Sequence, residues 1–163
     1  MRKCLLFSLF LVLALGILGG VFYYRENEND QLQERRIQLL EDALAPKTAD
    51  GVAYSWAQAV KTRNGAWQYA LMNDILRRQY LKEFEETNWV TGFSSPWVEK
   101  YKVSRQSVDE KGSVNFQINF DWYTSSGYAY SNTAILVATR YDPGQVNERW
   151  LISFLDFEYE PAP

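Results

Sequence analysis

The 163-residue chain contains no histidine and a single cysteine, Cys4. Ser-His-Asp and Cys-His catalytic arrangements, His or Cys zinc sites and an intrachain disulfide are therefore excluded. Carboxylates and aromatic rings are left to carry chemistry. Asp121 falls on the polar face of an alternating run. Asp156 shares parity with Trp150, Ile152 and Phe154, and is expected to face inward, balanced by Arg140 on the adjacent strand. An inward carboxylate without such a partner would be costly. A salt-bridged or rim position is the simpler reading of both acids, because ion-pair networks perturb titration without catalysis. The six tryptophans and eleven tyrosines would suit stacking on a sugar or an apolar ligand. Trp56, Trp122 and Trp150 read as core, whereas Trp89 and Trp97 fall with Gly92 and Phe93 in an irregular crossing, 88–97, where binding residues tend to occur.

The elements that must position these residues follow from periodicity. After Pro46, Thr48 or Asp50 caps a helix carrying Val52, Ala53, Trp56, Ala57 and Val60 at helical spacing. Asn64-Gly65 stops it, Ala66–Met72 reads as a short second helix, and Asn73 or Asp74 caps a third. Arg77-Arg78 reads as a solvated helix face. From Val98 the period becomes two. Asp109-Glu110-Lys111-Gly112 is a tight turn, and Val114, Phe116, Ile118, Phe120 and Trp122 then alternate with polar residues. Ser125-Ser126-Gly127 and Asp142-Pro143-Gly144 divide the remainder into Tyr128–Tyr141 and Trp150–Tyr159. Three helices followed by a four-stranded antiparallel meander make an α+β pattern.

Ahead of this domain, the uncharged run Cys4–Tyr24 would be about 31 Å long as a helix, enough to cross a membrane. Arg2 and Lys3 place its N-terminal side in the cytoplasm and the remainder outside. Cleavage at Ala14-Leu15-Gly16, giving a secreted chain, is the rival reading. Residues 25–45 are charge-rich, with Leu32, Ile37, Leu39, Leu40 and Leu44 on one helical stripe, and read as a juxtamembrane helix lying on its own domain. Without Arg2 and Lys3 the chain carries 15 basic and 20 acidic residues and no basic cluster, which argues against nucleic-acid binding. No cofactor or metal is expected.

The element order resembles the nuclear-transport-factor-two-like, cystatin-like cone, in which a curved sheet wraps a helix. Trp56–Gly65, Gln68–Met72 and Trp89–Trp97 resemble membrane-anchored extracytoplasmic bacterial members of that superfamily. The resemblance covers about residues 46–159 and implies a fold more than an activity. It implies an isomerase-type site of an aspartate base and a polarising tyrosine, for which Asp121, Asp156, Tyr69, Tyr101 and Tyr130 supply the residue types. It also implies a cavity at the wide end of the cone, here lined by Tyr69, Trp89, Phe93, Trp97 and Tyr101. Three functions compete: a non-catalytic binding module for an envelope protein or a small apolar or sugar ligand, an isomerase- or hydrolase-like enzyme using Asp and Tyr, and a packing component of an envelope secretion or conjugation machine.

Overall fold

The computed structural model describes residues 30–92, 94–141 and 148–157. The expected span at 4–24 lies outside them; among the described residues no helix is long and apolar enough to cross a membrane. The chain divides into two compact units between Ala43 and Leu44. Helix α1 covers residues 30–44, and its Leu32, Ile37, Leu39, Leu40 and Leu44 are each more than half exposed.

The second unit is α+β. Helices α2 (Ala49–Lys61), α3 (Gly65–Ala70) and α4 (Asp74–Glu86) precede strands β1 (Trp97–Val108), β2 (Val114–Thr124), β3 (Gly127–Tyr141) and β4 (Arg149–Asp156). The strands form one antiparallel sheet in sequence order. Each helix begins on a side chain that accepts a backbone N–H: Thr48 from Gly51, Asn64 from Trp67 and Asn73 from Leu76. Each cap contributes about 1 kcal/mol. Of the caps the sequence offered, Thr48 and Asn73 act, and Asp50 and Asp74 sit in the first turns, where negative charge suits the helix dipole.

The β1–β2 turn is held by Asp109 Oδ1, which accepts from the amides of Lys111 at 2.9 Å and Ser113 at 2.8 Å, with Gly112 at φ +81°. The β2–β3 connection is a two-residue hairpin, Ser125-Ser126, with Thr124 opposite Gly127. Trp97, expected in the preceding crossing, opens β1 and pairs with Tyr123.

Alternation on β2 is as the sequence requires. Val114, Phe116, Ile118, Phe120 and Trp122 are buried, while Asn115, Gln117, Asn119 and Asp121 lie on the other face. The apolar face receives α2, which is apolar enough to be buried along most of its length and packs on all four strands. In register across the inner face run the rows Val103–Ile118–Ala134, Tyr101–Phe120–Asn132 and Val98–Trp122–Tyr130. α4 packs along β4, and α3 bridges α2 and α4.

The last strand departs from simple alternation. Val137 pairs with Phe154 and Ala138 with Ile152, so Ser153 is an extra residue in a β-bulge. The bulge inverts parity beyond it. Trp150 and Ile152 are buried, but Phe154 and Asp156 are exposed, and Leu155 and Phe157 pack against the core instead. Asp156 therefore does not face inward, and Arg140 pairs with Glu148 at 3.0 Å while its guanidinium lies over the Trp150 ring. Of the Arg77-Arg78 face, Arg78 is exposed as expected, but Arg77 is half-buried and engaged. Its guanidinium donates to the carbonyls of Met72 at 2.9 Å and Ala70 at 2.8 Å and covers the Tyr69 ring, fastening the end of α3.

Candidate functional site

Two aromatic clusters gather the residues singled out above. The first lies where α3, the end of α4 and the following loop meet. Trp89 stacks on Phe84 with ring planes 2° apart and meets Tyr69 edge-on at 5.3 Å between centroids. Trp89 holds a left-handed backbone at φ +61°, rare for a bulky residue. Its carbonyl accepts the Gly65 amide at 2.9 Å, and its amide donates to the Phe84 carbonyl at 2.8 Å. Beneath the loop, buried Gln68 donates to Thr91 Oγ1 at 2.8 Å. The sequence thus placed Tyr69 and Trp89 together, and the structure shows them as interlocked packing. Trp97 is half-buried, with its indole donating to Glu99 at 3.0 Å. Phe93 lies outside the described residues.

The second cluster is on the inner face of the sheet. Tyr101 leans on Phe120 and shares a hydrogen bond of 3.0 Å between its hydroxyl and Gln58 Oε1. Trp122 stacks on Tyr130, and its indole donates to Asn132 Oδ1 at 2.8 Å. From the helix side, Trp56 meets Phe120 at 6.0 Å and Phe157 edge-on at 5.4 Å. Phe157 also touches Phe120 and is half-buried, whereas Trp56 and Phe120 have no exposed surface. The Trp56 indole Nε1 is buried and has no hydrogen-bond partner among the described residues.

The sequence did not single out Asn132, Gln58 or Phe157 for this face. Alternation along β3 could have turned Asn132 inward. Phe157 was hidden by the bulge, which has no glycine or proline to announce it.

The acids lie elsewhere. Asp121 accepts from the Ser131 hydroxyl at 2.6 Å on the outer face, and Asp156 stands opposite Ile135 on that same face. Tyr80, half-buried on α4, has its hydroxyl pushed above the usual tyrosine range by burial, then by the charges of Glu83 and Asp156. An open groove of about 300 Å³ lies at the start of α4, between Asp74, Ile75 and Arg78 on the helix and Tyr141, Leu151 and Ser153 on the sheet. None of the five expected pocket residues lines it. Among the described residues no group of three His, Cys, Asp or Glu side chains could hold a metal ion.

Family models, curated proteins and solved structures give no match to this chain.

Proposed function

We propose that the chain is a membrane-anchored, extracytoplasmic, non-catalytic binding domain of the nuclear-transport-factor-two-like type. Its ligand seats against the inner-face aromatics Trp56, Tyr101, Phe120, Trp122, Tyr130 and Phe157. The anchor rests on the uncharged run 4–24, and the superfamily reading on the order of three helices and a four-stranded meander.

One observation carries the binding reading: the aromatic rings gather on the inner face while Asp121 and Asp156, the acids best suited to proton transfer, both stand on the outer one. A ring-lined face with few polar groups grips a small ligand through area and shape. A base outside that face cannot reach a substrate held within it.

The test uses the full-length chain with its six tryptophan indoles labelled with nitrogen-15. Ethylbenzene, a small apolar ring, is expected to raise the melting temperature and to move the indole resonances of Trp56 and Trp122, leaving that of Trp97 in place. No shift at Trp56 or Trp122 up to saturation would remove the reading. Turnover of a carbonyl substrate that disappears in Asp121→Asn or Asp156→Asn would replace it with an enzymatic one.

A further inference from the structure

We infer that Trp56 Nε1 reads an oxygen acceptor, so that the ligand of the inner-face site is a small, neutral, apolar molecule bearing one exposed carbonyl, ether or hydroxyl oxygen. The inference rests on the binding reading above and narrows its ligand.

An indole N–H taken out of water without an acceptor is destabilising, and native proteins seldom leave one so. Trp56 has no exposed surface, and its Nε1 has no partner among the described residues. The neighbouring Trp122 indole shows what satisfaction looks like here, with Asn132 accepting at 2.8 Å. Around Trp56 the described ring contacts are Phe120 and Phe157, which offer only π faces, far weaker acceptors than oxygen. A phenylalanine would fill an apolar core without this cost. The indole gains something over it when an acceptor arrives.

Of the three rings, Phe157 alone keeps exposed surface, and it lies beyond the bulge at the end of β4. Its ring is the one a ligand would displace to reach the N–H. The polar inventory sets the ligand's chemistry. Arg105, opposite Phe116 on β2, is already paired with Asp50 at 3.4 Å beside the start of α2, and Arg140 with Glu148 at 3.0 Å. A charged ligand buried at Trp56 would therefore go unpaired. A sugar, with a hydroxyl on nearly every carbon, would bring more donors and acceptors than one free N–H and the engaged Tyr101–Gln58 and Trp122–Asn132 pairs can match.

The experiment compares acetophenone with ethylbenzene, which are alike in size and differ in the carbonyl, on the full-length chain and on Trp56→Phe. The acetophenone-to-ethylbenzene affinity ratio should fall by about tenfold in Trp56→Phe, whatever change the smaller ring makes to both affinities in common. Comparing ratios cancels the different hydration of the two probes. In the wild-type chain acetophenone should move the Trp56 indole proton much further downfield than ethylbenzene moves it, a readout that holds even if Trp56→Phe fails to fold. Binding of both probes with an unchanged ratio, or with equal indole shifts, overturns this inference and leaves the binding reading standing. Failure of both probes to bind removes the two together.

Discussion

Gly65 occupies the first turn of α3, and a Cβ added there would lie 2.8 Å from Phe84 Cδ1 and 2.9 Å from the Trp89 carbonyl oxygen. The ring could turn aside, but the carbonyl is fixed, because it accepts the Gly65 amide and belongs to the left-handed Trp89. Gly65→Ala should therefore destabilise by about 1–3 kcal/mol, the usual cost of overpacking, seen as a lower denaturation midpoint with an unchanged slope. Phe120 makes the opposite case. It has no exposed surface and touches the rings of Trp56, Tyr101 and Phe157, so Phe120→Ala opens a cavity and should cost about 3–5 kcal/mol. At Asp109 the effect is on pH dependence. The Ser113 amide, then that of Lys111, holds its carboxyl below the usual aspartate range. A lowered folded pKa stabilises above the unfolded value and is lost as pH falls through the folded one. The melting temperature of the wild type should thus exceed that of Asp109→Ala at neutral pH, and the two should converge in acid.

At the scale of elements, the sequence was legible wherever one residue's chemistry decides a local geometry. Thr48 and Asn73 announce two helix starts, and strict alternation from Val114 to Trp122 announces which face of β2 is buried; Asn64, read only as a stop, also caps α3. β4 was not legible, because parity counting assumes a regular pleat and Ser153 breaks it. Nothing in Leu151-Ile152-Ser153-Phe154-Leu155 marks the bulge. It is defined by pairing with β3, a tertiary fact. The same limit placed Asp156 inward and left Phe157 out of the site. The bulge suggests an indel test. Removing Ser153 restores regular alternation while keeping Ile152, Leu155 and Phe157 inward. Its cost should be confined to the hydroxyl bonds to Thr139 at 2.7 Å and Val137 at 3.3 Å, about 1–2 kcal/mol. Inserting one alanine between Phe154 and Leu155 instead turns Leu155 and Phe157 to the outer face. Chemical denaturation should show this insertion to be much the more damaging of the two; equal losses would mean that the bulge does not set the facing.

At the scale of the molecule, a four-stranded open sheet has two edges, and this one treats them differently. The β4 edge is closed by backbone from two distant segments. Trp150 donates to the Pro46 carbonyl at 3.1 Å, Ile152 donates to Leu71 at 2.8 Å, and Asn73 donates back to Ile152 at 2.9 Å. The β1 edge strand instead carries Glu99, Lys100, Lys102 and Arg105 and two register shifts, features that discourage strand addition. Pro46 therefore has a structural role of its own. It joins the segment before α2 to the strand formed last in the chain, next to the Thr48 cap. Two fragments of the second unit, 46–163 and 51–163, isolate this contribution, because both lack α1 and differ only by Pro46–Asp50. The longer fragment keeps the Pro46 bond to Trp150, the Thr48 cap and the buried Ala49 side chain; the shorter loses all three and also the Asp50–Arg105 pair. The cap is worth about 1 kcal/mol and the backbone bond about 1 kcal/mol, so 51–163 should be less stable by about 2–3 kcal/mol once Ala49 is included. Amide exchange should localise the loss, with Trp150 and the first turn of α2 exchanging faster while the β2–β3 amides keep their protection relative to global unfolding. Equal stability of the two fragments would mean that the β4 edge is held by Leu71–Asn73 alone.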